Sequence, residues 1–308
     1  LVSASAPEWA DGRLGLTMAP PADAALGAWE ISVGDGDAES GRLKLWVDDL
    51  PQHDVPSVES VRISEATNRV AWPVSVWSLM DRPGLVTGFG VALRKGQSVV
   101  FDLSAQRLGA KGDFQLTVLD AHGRTVASND SVAGQPDPAL VLTVPADGDY
   151  HVRVSEVTYA GSPDHYFRLS CGELPFVTGL FPSSVPAERG GAIQLYGANL
   201  PDDGRLVLPG SESGEHGLPE PARSWRSRRD WKVLSTEDPV RTEAEPNDDP
   251  VSANPVPVPV VMNGQLGSAA GALPADVDGF RFPARQGVTY ALETTASQRG
   301  SLADTRIT

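Results

Sequence analysis

Alternation of apolar and polar residues is the feature that most constrains the fold of this chain. The alternation recurs in "GQSVVFDLSA" (96–105), "LVLTVPADGDYHVRVSEV" (140–157) and "GAIQLYGANL" (191–200), and turn signals such as "PDDG" (201–204) separate such segments. Successive side chains of a strand point to opposite faces, so each segment predicts a strand with one buried face. Helical periodicity is nearly absent. We therefore predict an all-β chain of tandem β-sandwich modules with almost no helix.

Composition restricts the partners. The 308 residues include 31 glycines and 26 prolines, which suits short strands joined by turns. The net charge of -15 repels phosphate backbones, so we expect no nucleic-acid partner. No apolar run approaches the roughly 20 residues that span a bilayer, so we expect no membrane insertion. The single cysteine, Cys171, is expected to be a small buried hydrophobe.

The chain also contains an internal repeat. Residues 88–117 align without gaps with 279–308, and residues 68–77 align with 254–263. The identities in the longer alignment are Gly88, Phe89, Arg94, Gly96, Ala105, Gly109, Asp113 and Thr117, matched by Gly279, Phe280, Arg285, Gly287, Ala296, Gly300, Asp304 and Thr308. A module that starts near residue 55 thus starts again near 243; we call residues 55–173 the first copy and 243–308 the second copy. The second copy would lack about half of its strands, so we expect the natural protein to continue beyond Thr308.

Both copies resemble a known family. The segments "DVDGFRFPARQGVTYALE" (276–293), "FQLTVLDAHGRTVASND" (114–130) and "PADGDYHVRV" (145–154) are similar to bacterial pre-peptidase C-terminal domains. These domains are jelly-roll-like β-sandwiches of secreted peptidases and large extracellular proteins, and they are similar to the collagen-binding domains of clostridial collagenases. The segment "VTGLFPSSVPAERGGAIQLYGANL" (177–200) resembles the opening of an immunoglobulin-like IPT/TIG domain.

These resemblances imply a layout of four parts. Residues 1–51 are expected to be the C-terminal part of an IPT/TIG-like sandwich, and 55–173 a complete pre-peptidase C-terminal-like sandwich. Residues 174–240 would form an IPT/TIG-like sandwich, and 243–308 the first half of a second pre-peptidase C-terminal-like module. The resemblance also implies an extracellular, cell-surface or periplasmic location.

The stretch "EAEPNDDP" (243–250) concentrates carboxylates and an amide on a backbone stiffened by proline. Calcium takes about six to eight oxygen ligands, and clustered carboxylates repel each other unless a cation screens them. In collagen-binding relatives of the family, such a linker and a downstream Asp-x-Asp pair coordinate calcium. The resemblance therefore implies a calcium site whose ligands are Glu243, Glu245, Asn247, Asp248, Asp276 and Asp278. The alternative is a solvated linker between modules.

The first copy lacks this acidic set. Extending the alignment places four residues opposite the acidic linker and two opposite the Asp pair. They are Ser57, Glu59, Val61 and Arg62, followed by Leu85 and Thr87. One carboxylate remains, and an arginine would face the metal, so we predict one calcium site, in the second copy.

A basic, aromatic stretch interrupts the acidic chain at "ARSWRSRRDWK" (222–232). Arginine and tryptophan together suit a sugar or polyanion surface through stacking and bidentate hydrogen bonds. The sequence therefore offers a possible ligand surface, formed by Trp225, Arg226, Arg228 and Arg229. The alternative is an edge strand with Trp231 pointing inward and arginines guarding the edge.

No catalytic site is predicted. The chain has neither an HExxH nor a G-x-S-x-G motif, and its five histidines share no short spacing. The expected function is that of non-catalytic spacer and binding modules in a large secreted or surface bacterial protein, with an extracellular polysaccharide or protein and the neighbouring modules as partners. Two alternatives stay open: an accessory targeting region of a secreted peptidase, and a purely structural stalk.

Overall fold

A computed structural model describes residues 3–4, 8–10, 13–15, 18–19, 21, 24, 26–32, 41–59, 68–132, 135–267 and 276–308. Within these ranges the chain forms β-strands, four short 3-10 turns and no α-helix, which confirms the all-β prediction. No helix in the described ranges is long and apolar enough to cross a membrane. The chain divides into two compact units, Leu1–Glu173 and Leu174–Thr308.

The first unit contains fifteen described strands and one 3-10 turn. The strands are β1 (Ser3–Ala4), β2 (Glu8–Ala10), β3 (Arg13–Gly15), β4 (Met18–Ala19), β5 (Gly27–Ile31), β6 (Leu43–Val47), β7 (Gln52–Asp54), β8 (Val74–Leu79), β9 (Val86–Leu93), β10 (Ser98–Ser104), β11 (Phe114–Leu119), β12 (Thr125–Asn129), β13 (Ala139–Thr143), β14 (Gly148–Glu156) and β15 (Tyr166–Gly172), with the turn at Gln106–Leu108.

Two sheets build the sandwich of the first copy. One has the strand order β13-β10-β15-β8-β7 and the other β12-β11-β14-β9. Alternate residues of each strand fill the space between the sheets: Phe101 on β10, Leu116 on β11 and Phe167 on β15 are fully buried in one cluster. Cys171 lies in the same cluster, which confirms the expectation of a buried thiol, and burial raises its pKa to about 12.

The second unit contains eleven strands and three 3-10 turns in its described residues. The strands are β16 (Phe176–Phe181), β17 (Ser184–Pro186), β18 (Gly191–Ala198), β19 (Arg205–Leu208), β20 (Gly214–Gly217), β21 (Arg226–Ser227), β22 (Lys232–Thr236), β23 (Val240–Thr242), β24 (Asn254–Pro255), β25 (Val261–Asn263) and β26 (Phe280–Arg281), with turns at Pro201–Gly204, Ala222–Ser224 and Ser297–Arg299.

Two sheets, β19-β18-β16-β21 and β17-β22-β20, enclose a smaller core in this unit. Its buried members include Val177, Ile193, Leu195 and Trp231. The last four strands of this unit form two parallel pairs, β23 with β25 and β24 with β26. The four-part division and the IPT/TIG likeness stay predictions, and much of residues 1–51 lies outside the described ranges.

A short parallel pair opens the first copy. Strand β7 runs parallel to β8. The Ser75 amide donates to the Pro51 carbonyl at 2.8 Å, and the Val55 amide donates to the Trp77 carbonyl at 2.9 Å. The pair therefore fixes where the linker meets the first strand of the sandwich.

The second copy opens with the same pairing. The Val261 amide donates to the Pro239 carbonyl at 2.9 Å, and the Glu243 amide donates to the Asn263 carbonyl at 3.0 Å. Because Asn263 aligns with Trp77, Glu243 occupies the position that Val55 occupies in the first copy.

This pairing corrects the linker part of the sequence alignment. Glu243 corresponds to Val55, although the sequence alignment had paired it with Ser57. Ser57 corresponds to Glu245. The ungapped extension was wrong by two residues because the first copy has two more residues between its paired strands. Val61 and Arg62, which the alignment had placed opposite the acidic linker, lie outside the described residues.

The downstream alignment keeps its register. In the first copy the Val70 amide donates to the Gly90 carbonyl at 3.0 Å, and in the second copy the Val256 amide donates to the Arg281 carbonyl at 2.9 Å. This bond relates the aligned positions of the two copies. Leu85 and Thr87 therefore correspond to Asp276 and Asp278.

Candidate metal centre

Backbone pairing positions the acidic linker of the second copy. Glu243 follows β23 directly and is held by its amide bond to Asn263. The next residue, Ala244, is bracketed by the Asn254 side chain, which accepts from the Ala244 amide at 2.7 Å and donates to its carbonyl at 2.9 Å. Two consecutive linker residues are thus fixed against the module. Their fixed backbone lowers the entropy lost when the flanking carboxylates converge on a ligand.

Three carboxylates converge in this region. Glu243, Glu245 and Asp278 each offer an oxygen, and the three oxygens lie within 4.8 Å of one another. Asp278 comes from the short segment that precedes β26, so the cluster joins the linker to a strand end. A cluster of three acidic side chains in this arrangement can hold a metal ion.

The cluster is partly withdrawn from water. Burial, helped by the nearby carboxylates of Asp278 and Glu245, raises the pKa of Glu243 to about 7, although the bond from the Gln265 amide acts in the opposite direction. Burial also raises the pKa of Asp278, and the charges of Asp276 and Asp248 add to the rise. Mutual repulsion of this kind is relieved by protonation or by a cation.

Several oxygens and one amide of this region have no hydrogen-bond partner. Glu243 Oε2 and Asp278 Oδ1 are buried and unpaired, and so are both side-chain polar atoms of Asn247. The Asn247 residue is 0% exposed, while its carbonyl accepts from the Gly279 amide at 3.0 Å. Buried polar atoms are nearly always paired in folded proteins. The unpaired oxygen atoms fit the donor set of a hard cation such as calcium.

Gly264 makes room for the carboxylates, and the sequence analysis did not single it out. A Cβ at this position would lie 2.8 Å from Glu243 Oε2 and 2.9 Å from Asp278 Oδ2. Its aligned residue in the first copy is Ser78. The change from serine to glycine beside an acidic linker is a sequence signal that would have identified this position.

Asp248 and Asp276 lie beside the cluster and bond to backbone. Asp248 Oδ1 accepts from the Val277 amide at 3.4 Å, and Asp276 Oδ2 accepts from the Gly267 amide at 2.5 Å. Of the six predicted ligands, the structure brings three carboxylates together. These two aspartates tie the linker and the following loop to the same region.

The basic, aromatic stretch is largely packed within the second unit. Trp225 packs against its core, and Arg228 is 7% exposed. Arg226 is half-buried on β21, and Arg229 donates to the carbonyls of Gly300 and Ser301 at 2.8 and 3.2 Å. Trp231 points inward, as the edge-strand alternative expects. The prediction of a ligand surface on these four residues remains untested.

Comparison with known proteins gives little further information. No family model and no curated protein match the chain. Among solved structures, the pre-peptidase C-terminal domain of a collagenase from Bacillus anthracis is similar with a TM-score of 0.27 and 8% identity, over 34% of this chain and 93% of that one. PliG from Aeromonas hydrophila, a periplasmic inhibitor of g-type lysozyme, is similar with a TM-score of 0.23 and 13% identity, over 40% and 98%. Both similarities are too slight to carry an argument about family or activity.

Proposed function

We propose that this chain is a non-catalytic spacer and binding region of an extracellular bacterial protein, and that its second copy binds calcium where the acidic linker meets the module. The convergence of Glu243, Glu245 and Asp278 within 4.8 Å carries this proposal. Asn247, Asp248 and Asp276 complete the ligand set. Calcium would be held by oxygen atoms alone, which suits its preference for hard ligands.

Calcium binding would make the linker rigid. Without a cation, the carboxylates of the linker and of the strand end repel one another, and the linker is held mainly by backbone pairing. A bound cation replaces that repulsion with attraction from both sides. The linker would then be clamped to the start of the second copy, so that a spacer of fixed geometry results.

A neighbouring contact supports the spacer role. Ser184 on β17 donates to Asn263 Oδ1 at 3.0 Å, and Asn263 Nδ2 donates to the Ser184 carbonyl at 3.1 Å. Both residues are buried, so the reciprocal pair is shielded from water. It joins β25 of the second copy to the sheet that precedes the acidic linker. The calcium site would secure the same junction from the linker side.

The binding partner of the spacer is proposed to be an extracellular polysaccharide or protein, with a location outside the cell, at its surface or in the periplasm. The proposed contact residues are Trp225, Arg226 and Arg229, which are half-buried. Arg228 is 7% exposed, so it is not proposed to contact the ligand. A screen of immobilised glycans and matrix proteins tests this part. Binding that Arg226→Ala weakens supports a contact surface, whereas no binding to any member of the screen leaves a structural stalk as the function.

Isothermal titration calorimetry with calcium chloride tests the metal site. We expect one site per chain, abolished by Glu245→Gln and retained in Glu237→Gln. Glu237 is a matched control because it is an exposed acidic residue before β23 and outside the cluster. Absence of binding to the unsubstituted chain at millimolar calcium, or equal loss in both variants, would contradict the proposal.

A further inference from the structure

The outer face of one sheet of the first copy is buried, although strand alternation predicts that it faces solvent. Ser75, Ser104 and Ser170 point away from the core of the sandwich, yet each is 0% exposed. Arg168 lies on the same face and is 2% exposed. A charged side chain is almost never fully buried unless it is paired. This face therefore has a covering partner.

Asp48 supplies that partner for Arg168. The two side chains form an ion pair and are 2% and 5% exposed. Arg168 also donates to Ser75 Oγ at 2.9 Å, while the Ser75 hydroxyl donates to Asp48. Burial alone would raise the pKa of Asp48, but bonds from Ser75 and Arg168 hold it at about 2. The three residues form one polar network, to which Gln52 Nε2 also donates, at 3.3 Å from Asp48 Oδ2.

The network reaches the hairpin that precedes the sandwich. Asp48 follows β6 directly, and β6 pairs antiparallel with β5. The Trp46 ring on β6 lies 5.0 Å from the Arg168 guanidinium carbon, a cation–π distance. Arg168 therefore contacts an aromatic ring of the hairpin and the carboxylate that follows it. These contacts cross the boundary predicted near residue 51.

We propose that the outer face of the sheet at Ser75 and Arg168 is an intramolecular docking surface for the β5–β6 hairpin, with Asp48 as its latch. Because of this latch, the hairpin and the sandwich form one rigid body and unfold together. The segment at 49–51 is thereby a rigid junction and not a hinge. Side chains of this network thus join the first copy to the residues before it, in addition to the backbone pairing of β7 with β8.

Buried charges make this latch sensitive to substitution. Removing one partner leaves the other charge buried without compensation, which is far more destabilising than losing an exposed pair. The exposed ion pair between Glu30 and Arg42 lies within the hairpin, so it does not attach the hairpin to the sandwich. Loss of the latch should therefore release the hairpin before it disturbs the sandwich core.

Hydrogen exchange read by mass spectrometry on the full chain tests the proposal. In Asp48→Asn and in Arg168→Met, exchange in β5 and β6 should accelerate by roughly 100-fold, while peptides from β10 and β11 keep their protection. The double variant should accelerate exchange no more than the single variants, because the network is already broken. Arg69→Met is the matched control, since Arg69 pairs with Asp149 at an exposed position.

Two outcomes would overturn the proposal. Unchanged exchange in β5 and β6 in both single variants would show that the hairpin is held elsewhere. An equal increase across the hairpin and the core strands would show that the network supports only the sandwich itself. If Arg168→Met does not fold, Asp48→Asn decides alone, because it keeps the side-chain volume and leaves Arg168 bonded to Ser75.

Discussion

The two copies share their backbone pairing but differ in the side chains at the junction, which are apolar or hydroxyl-bearing in the first copy and acidic in the second. Where the first copy has Val55, 1% exposed in its core, the second has Glu243. Where the first copy joins Ser78 and Thr87 by a buried hydroxyl bond of 2.7 Å, the second has Gly264 and a carboxylate. Backbone pairing is the same in both, so pairing alone does not decide whether a cation can bind. Four side-chain changes, at the positions of Val55, Ser57, Ser78 and Thr87, convert this junction into an acidic one.

The largest effect on stability is expected from placing the acidic residue in the first copy. Val55→Glu would place a carboxylate at a core position with no cation and no other acidic residue in its cluster, and we expect a loss of about 4 kcal/mol or more in the free energy of unfolding. Urea denaturation measures this loss.

The control for Val55→Glu is Val58→Glu, three residues further along. Val58 is 42% exposed, so its substitution should change stability by less than about 0.5 kcal/mol. A small effect at both positions would mean that the first copy tolerates a charge at Val55. Burial in the core would then not be what disfavours a carboxylate at that position.

Filling the space at Gly264 tests whether the second copy needs that space in order to bind calcium. In Gly264→Ser, the new side chain would displace Glu243 and Asp278, so calcium should no longer stabilise the protein. The unsubstituted chain should gain about 2.7 kcal/mol at calcium 100 times above its dissociation constant. Gly217→Ser is the control, since a Cβ there meets nothing within 4 Å. Retained calcium stabilisation in Gly264→Ser would place the metal elsewhere.

The raised pKa of Glu243 predicts the pH dependence of the metal-free protein. Between about pH 4.5 and 7, the folded state keeps a proton on Glu243 that the unfolded state has released. The folded state therefore binds more protons in this window, so stability should fall as the pH rises through it. Denaturation in EDTA at several pH values measures this slope, and Glu243→Gln should flatten it. A slope that is the same in that variant would assign the effect to other groups.

The smallest expected effect comes from the reciprocal change in the first copy. Ser78→Gly removes the hydroxyl bond to Thr87 and should cost about 1 kcal/mol. It should create no calcium response at the first copy, because Val55 and Thr87 supply no carboxylate. A new calcium-dependent shift that persists when Glu245 is also replaced would contradict the requirement for acidic side chains at the junction.

Strand alternation predicted the sandwich well because it depends on one local rule. Segments 96–105 and 140–157 became β10, β13 and β14 of the two sheets. The rule assumes that one face of each strand meets water. It failed at Ser75 and Arg168, where a preceding segment covers the outer face.

The candidate site was only partly predictable for a different reason. Carboxylates at 243, 245 and 278 can be read from the sequence, but their correspondence to the first copy depends on strand register. An ungapped alignment cannot see the two additional residues between β7 and β8. Likewise, the burial of Arg228 depends on packing within the second unit and not on the local alternation of arginine and tryptophan.

A thermal melt in calcium and in EDTA, on the unsubstituted chain and on Glu245→Ala, tests the central claim most directly. The account predicts that millimolar calcium raises the melting temperature of the second unit's transition, and that Glu245→Ala abolishes the rise. No difference between calcium and EDTA in the unsubstituted chain would contradict it. The stretch 243–250 would then be a solvated linker, and the structural stalk would become the better description of the chain.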